Sequence, residues 1–335
     1  RAEVFTVMVA LDPSPAALAQ AKQLGAELVV THHPLLFRPL KHVRLDLPAE
    51  QLVARFLEAK MGVYSAHTNL DNASQGTSAV LAQKLGLTNS EVLVPRPGQK
   101  LYKLVTFVPS SHLENVRQAL AAAGAGWIGN YSHCTFQVAG KGTFLPLAGT
   151  NPYIGQPGVL EYVDELRLET IVPEERLGLA VSRMLAAHPY EEVAYDIYPL
   201  AREGQVYGLG RVGQLPQSVP LAEFVHTVKK ALQLPTVVVV GDGNKPIKKV
   251  AVCGGSGSSL VSRAHFVGAD VLVTGDVKYH NAQEADLLGL SVIDAGHAGT
   301  ENPVVLMLAD YLAAKLADRG VTVQAYIAPP VSKRA

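Results

Sequence analysis

The sequence predicts an α/β protein in which two repeated βαβ-type halves form one discontinuous domain, interrupted by an inserted α+β domain. Three observations predict this: a seven-residue motif that occurs twice, matching strand and helix patterns around both copies, and a central stretch with a different element order.

The motif is Gly25-Ala26-Glu27-Leu28-Val29-Val30-Thr31, which returns as Gly268-Ala269-Asp270-Val271-Leu272-Val273-Thr274, with four of seven positions identical and the others like for like. Upstream, Val7 to Ala10 and Val250 to Cys253 read as strands, and Pro15 to Leu24 and Ser258 to Val267 as helices. Downstream, Gly62 to His67 and Gly289 to Asp294 are short β-rich runs, each preceded by a helical stretch. Two facing βαβαβ halves bring the carboxyl ends of their strands together, where α/β sheets place their sites.

Between the halves, the elements read strand (Tyr102 to Val108), helix (Leu113 to Ala123) and strand (Cys134 to Ala139). Then come strand (Glu165 to Val172), helix (Glu175 to Ala187) and strand (Val193 to Tyr198). The order βαββαβ is the ferredoxin-like pattern. Pro95-Arg96-Pro97-Gly98 and Ala201-Arg202-Glu203-Gly204 are breaker-rich joints. The expected division is therefore 1–99 with 201–335 for the discontinuous domain, and 100–200 for the insert.

Composition agrees with two globular domains. The chain has 335 residues, 48% apolar and 17% charged, too long for one ordinary core and too apolar for disorder. Lys plus Arg equals Asp plus Glu at 29 each, so there is no sequence-independent pull toward nucleic acid or an anionic membrane. The strongest apolar stretch, Thr236 to Val240, is strand-sized, so no membrane span is expected. Cys134 and Cys253 stand alone and offer neither a disulfide framework nor a thiolate zinc site, which points to a reducing cytoplasm. The first residue is Arg1 rather than Met, consistent with numbering that starts inside a longer chain.

Eleven histidines against two cysteines direct any metal chemistry to N and O ligands. Val29-Val30-Thr31-His32-His33-Pro34 is a buried-type strand running into two adjacent histidines. Beyond the strand the pleat relaxes, and Pro34 holds His33 extended, so both imidazoles can reach one cleft and serve one metal each. Ala66-His67-Thr68-Asn69-Leu70-Asp71 follows the next strand and offers Asp71 as a carboxylate spanning two cations; a helix cap is its plainer role. His67 is a direct ligand in reserve or a supporting group, the second role being the one favoured. In Asp294-Ala295-Gly296-His297-Ala298-Gly299-Thr300-Glu301, the helix is expected to open at Thr300 to Asn302 and run to about Lys315. That places Glu301 in its first turn and His297 in the loop before it. The expected ligands are thus His32, His33, Asp71, His297 and Glu301, around two divalent transition-metal ions: zinc, iron, manganese or nickel. Asp276, Lys278 and His280 either line the same cleft, handling substrate or protons, or mark an exposed helix start. Gly254-Gly255-Ser256-Gly257-Ser258-Ser259 reads as a turn able to cradle phosphate through its N–H groups. His188-Pro189-Tyr190-Glu191-Glu192, in the insert, reads as a structural turn.

At Thr31 to Phe37, His67 to Asp71, Gly275 to His280 and the His297–Glu301 pair, the chain resembles the GTP cyclohydrolase I type 2 homologue family, the Nif-three-like dinuclear metal-centre proteins. Around Gly129 to Cys134 and His188 to Glu192, the insert is similar to the PII-like or CutA-like module of longer bacterial members. The resemblance implies two metals on the residues named above and a homohexameric ring with its sites facing an internal cavity. Members usually carry a further segment before the strand at Val4 to Ala10. The cysteine-and-histidine zinc site of GTP cyclohydrolase I has no counterpart here, so the resemblance carries over a metal site and not a substrate.

Two functions follow as expectations. The first is a metal-dependent hydrolase of a nucleotide-like or phosphorylated small molecule, with metal-bound hydroxide attacking and Glu301 or His67 moving protons. The second is a non-enzymatic, metal-responsive adaptor whose insert senses a ligand or partner.

Overall fold

The computed structural model describes residues 3–204 and 206–328. These divide into two compact units, one made of the chain up to Arg96 and from Tyr207 onward, the other of Pro97–Val206.

The first stretch contains β1 (Thr6–Ala10), α1 (Pro15–Gln23), β2 (Leu28–Thr31), α2 (Pro48–Glu58) and β3 (Gly62–Ser65). Helices α3 (Thr68–Asp71) and α4 (Thr77–Lys84) follow, then β4 (Thr88–Pro95). The second unit contains β5 (Leu101–Val108), α5 (Leu113–Ala122), β6 (Thr135–Phe144), β7 (Glu161–Pro173), α6 (Glu174–Ala187) and β8 (Tyr195–Pro199). The chain then continues with β9 (Gly208–Pro220), α7 (Leu221–Leu232), β10 (Val238–Val240), β11 (Pro246–Ser256) and α8 (Val261–Phe266). It ends with β12 (Val271–Gly275), α9 (Tyr279–Leu287), β13 (Ser291–Asp294), α10 (His297–Leu316) and β14 (Thr322–Tyr326).

The first unit holds two sheets. One is wholly parallel, in the order β14-β1-β2-β3. The other has the order β10-β13-β12-β11-β9-β4, with β11, β12 and β13 parallel and the rest joined antiparallel. Helix α1 starts where it does because the Ser14 side chain accepts the Ala17 N–H and Pro15 occupies the first turn. It presents Ala17, Leu18 and Ala21 to a core containing Met8, Val29 and Phe56. Strand β11 is buried on both faces: Val250 and Val252 enter one cluster, Ala251 and Cys253 another. A central parallel strand covered on both sides needs such an unbroken apolar run.

Two helix starts differ from the sequence expectation. The expected helix from Ser258 opens as a 3-10 turn, Ser258–Leu260, before α8. Helix α10 begins at His297 rather than at Thr300 to Asn302, and Pro303 lies inside it. The earlier start is made by Gly296 at φ 76°, its N–H held by Asp294 Oδ1 at 2.9 Å.

The second unit is one antiparallel sheet in the order β6-β7-β5-β8. Leu104, Val108, Leu168 and Val172 from the sheet meet Val116, Leu120, Ala180 and Met184 from α5 and α6. In the turn after α6, His188 donates from Nε2 to the Phe107 carbonyl at 2.9 Å and accepts the Tyr190 N–H at Nδ1 at 3.2 Å. Among the described residues, no helix is long and apolar enough to cross a membrane.

Candidate metal centre

The carboxyl ends of β2 and β3, the start of α10 and the end of α3 bring His32, His33, His67, Asp71, His297 and Glu301 together. Their ligating atoms form three overlapping groups, each within 4.8 Å: His32–Asp71–Glu301, His33–His297–Glu301 and His32–His33–His67. Thr31 closes the end of β2, donating to the His33 carbonyl at 2.7 Å and touching Ser65 Oγ at 3.0 Å. That contact fixes the turn from which both imidazoles leave the strand.

Three imidazoles share one arrangement. His32 Nδ1 donates to the Ala66 carbonyl at 2.8 Å, His33 Nδ1 to Asp12 Oδ1 at 2.7 Å, and His297 Nδ1 to Asp276 Oδ2 at 2.6 Å. An acceptor-only partner puts the proton on Nδ1 and leaves the Nε2 lone pair aimed inward, the pattern of ligating histidines. His33 Nε2 and His297 Nε2 lie 3.2 Å apart, and 3.1 and 3.2 Å from Glu301 Oε2. His32 Nε2 lies 3.5 Å from both Glu301 Oε1 and Asp71 Oδ1. His32 Nε2 and Glu301 Oε2 are buried and have no hydrogen-bond partner among the described residues, although the distances to Glu301 are short. Two lone pairs facing each other beside a buried carboxylate suit a shared cation, and three imidazole nitrogens with two carboxylates fit a divalent transition metal.

The carboxylate that two of the three groups share is Glu301, only 4% exposed, while Asp71, expected to span two cations, belongs to one. Asp71 Oδ1 accepts the Thr77 hydroxyl at 2.7 Å and faces the His32 side alone. Burial pushes the Glu301 carboxyl up, but His297, His32 and His33 outweigh it and hold it far below the usual carboxylate range. Burial pulls His33 down, yet Asp12 and Glu301 raise it to about 10. Glu301 raises His297 to about 9 against burial, with Asp276 adding to it. Without an ion, the raised values put a proton on Nε2 of His33 and His297, the positive charge that a bound cation would replace. His67 runs the other way, lowered by burial and by neighbouring His32. Its ring stands edge-on to His32 and His33 at 5.3 and 5.7 Å, and Phe37 packs 6.2 Å from it. The Cys253 thiol is pushed up to about 12 by burial, and no cysteine joins any of the three groups.

In the glycine-rich turn, expected to cradle phosphate, three N–H groups are already committed: Gly254 to Ser78 Oγ, Gly255 to Thr300 Oγ1 and Gly257 to Thr274 Oγ1. Its glycines serve the cluster instead. A Cβ on Gly255, at φ 65°, would lie 2.2 Å from Glu301 Oε1 and 3.2 Å from His297 Nε2. Of the trio expected to line the cleft or to mark an exposed helix start, Asp276 orients His297 and accepts the Ser256 hydroxyl. Lys278 and His280 are exposed, and His280 contacts Gln283 at 3.3 Å. Sequence reasoning missed Asp12 and Thr77. The signal for Asp12 was its place just past buried β1, masked by its resemblance to a turn residue before Pro13.

Comparisons with known proteins follow the same lines. The family model described as Duf34/NIF3 (NGG1p interacting factor 3) matches residues 1–330. A Halalkalibacterium halodurans protein named GTP cyclohydrolase 1 type 2 homolog is 49% identical over 291 residues, covering 87% of this chain and 78% of that protein. A Bacillus subtilis protein of the same name is 46% identical over 294 residues, covering 88% and 79%. The crystal structure of a Bacillus cereus protein related to NIF3 matches with a TM-score of 0.89 at 40% identity, covering 100% of this chain and 90% of that one.

Proposed function

The chain belongs to the Duf34/NIF3 family, and on that premise we propose that it is a dinuclear-metal hydrolase of nucleotide-like or phosphorylated small molecules. The observation that carries the reading is the set of three imidazoles, each tied at Nδ1 and each turning Nε2 toward the Glu301 carboxylate. His32, Asp71 and Glu301 would hold one ion and His33, His297 and Glu301 the other. When bound, two divalent transition-metal ions supply Lewis acidity and lower the pKa of water.

The chain's own residues do the rest. Asp12, Asp276 and the Ala66 carbonyl fix the three rings and their tautomers. Thr77 orients Asp71. His67, less basic than a free histidine, stands neutral near pH 7 and can take a proton from the attacking water at a free ring nitrogen. The name carried by the relatives suggests a nucleotide substrate, but the absence of a thiolate ligand separates this site from cysteine-based GTP ring opening.

The same reading covers the architecture. The two parallel strand triplets are proposed to be duplicated halves of one metal domain, and Pro97–Val206 a ferredoxin-like insert of the PII-like or CutA-like kind. A homohexamer working in a reducing cytoplasm completes it, testable by light scattering on the purified protein.

The test is metal content, followed by turnover. Protein loaded with zinc, iron, manganese or nickel is assayed against nucleotides and phosphoesters, with Asp71→Ala as control. About two metal equivalents and turnover lost in the variant support the reading. Equal turnover in both proteins rejects it, and metal binding without turnover on any substrate favours the adaptor function.

A further inference from the structure

The second unit contains a cavity of about 800 Å³ that the metal chemistry does not use. Strand β6 lines it along Gly140 and Gly142; a Cβ on Gly142 would lie 2.2 Å from Glu165 Oε2, so the glycine makes room for that carboxylate. Aromatic rings gather on it. The Tyr190 ring lies 6.1 Å from both Tyr153 and Phe144, and all three line the space.

The charges facing it are unbalanced. Arg167 is already engaged, 6.0 Å over the Phe107 ring and 3.4 Å from Glu169. Lys141 pairs with Asp164 at 3.4 Å. Glu165, Glu191 and Glu192 also line the cavity, and none of them has an ion-pair partner among the described residues. Glu165 Oε1 accepts the Tyr190 hydroxyl at 2.8 Å, while Oε2 has no hydrogen-bond partner there. Glu191 accepts only the Asn151 N–H.

We propose that this cavity binds an organic cation, a protonated amine on an apolar or aromatic body, with the ammonium at Glu165 between Tyr153 and Tyr190. Ring faces attract cations through their quadrupole, most strongly where water is displaced. A buried ammonium needs a carboxylate partner, which Glu165 Oε2 provides. An anionic ligand would meet three carboxylates and no unengaged cation. The volume falls in the range of small-molecule sites, about 300–1,000 Å³. The turn His188-Pro189-Tyr190-Glu191-Glu192, structural at its first residue, thus brings binding groups at its last three.

The experiment is calorimetric titration of the full-length, metal-loaded protein with phenethylammonium, phenethyl alcohol and phenylacetate. The ammonium is expected to bind at least about tenfold tighter than either counterpart. Glu165→Gln is expected to weaken it about tenfold while leaving metal content and melting temperature unchanged. Gly142→Val, which displaces the carboxylate, is expected to abolish binding and serves if the first variant does not fold. Equal binding of alcohol and ammonium, undiminished binding in Glu165→Gln, or no binding of any probe at millimolar concentration overturns the proposal.

Discussion

His33 and His188 each precede a proline, and the structure separates the cluster histidines from His188 by one nitrogen. His32, His33 and His297 spend Nδ1 on an oxygen and keep Nε2 for the cluster. His188 spends both, donating from Nε2 to Phe107 and accepting at Nδ1 from Tyr190. Burial does not distinguish them, since His32 is 1% and His188 7% exposed. A ligand is marked by a spare lone pair facing other spare lone pairs, and a structural histidine by having none.

The hardest break in that comparison is at the carboxylate that gives the spare nitrogens something to share. Glu301→Ala removes the carboxylate shared by the two sets that contain one. On the dinuclear reading proposed above, bound metal measured by elemental analysis should fall from about two equivalents to nearly none. Loss of one equivalent only would mean that Asp71 holds its ion without Glu301.

A second break works through backbone. A Cβ on Gly275 would lie 2.6 Å from both the Gly296 carbonyl carbon and the His297 nitrogen. Gly275→Ala should push the start of α10 away from the cluster, destabilising the fold by about 1–3 kcal/mol in urea unfolding. It should also cost the ion at His33 and His297 more affinity than the one at His32 and Asp71. The two strand ends differ for this reason: after Thr31 the chain turns out ligands, while after Thr274 it must stay bare so that a ligand from α10 can approach.

Much of this was legible in the residues. The ligand candidates lie where apolar runs stop, and a hydrophobic run followed by His or Asp marks the carboxyl end of a strand in an α/β sheet. What was not legible depends on approach between distant segments. Gly254 to Gly257 looked like an anion turn because sequence shows free N–H groups, and only the fold gives them to Ser78, Thr300 and Thr274. The helix expected to open at Thr300 to Asn302 starts at His297 instead, which adds the turn that puts His297 and Glu301 on one face at i and i+4. Asp12 reads as a loop residue until β1 and β2 are paired, when it meets His33 across 21 positions of sequence.

A milder change sharpens the comparison. Asp12→Asn keeps the shape of the group that holds His33 Nδ1 and removes its charge. Affinity for the metal at His33 and His297 should drop roughly 10–100-fold, the usual cost of losing such a support. Binding at His32 and Asp71, which rests on the Ala66 carbonyl, should be unaffected. Competition with a chelator, read as two separate metal-release steps, tests this; parallel weakening of both steps would make the ions one coupled unit.

The smallest effect comes from the other kind of histidine. Burial lowers the His188 pKa, outweighing the bond to Phe107 and the charge of Glu165. With the folded pKa below the unfolded value of roughly 6.5, the stability this histidine contributes is present above that pH and is lost as pH falls through it. Acidification from neutrality should therefore loosen the turn carrying Tyr190. His188→Gln, which can still donate to Phe107 and accept from Tyr190 but cannot titrate, should flatten that part of the profile. Amide exchange at Tyr190 between neutral and mildly acidic pH reads it directly. An identical acid response in the variant would place the titrating group elsewhere and leave His188 distinguished from the cluster by geometry alone.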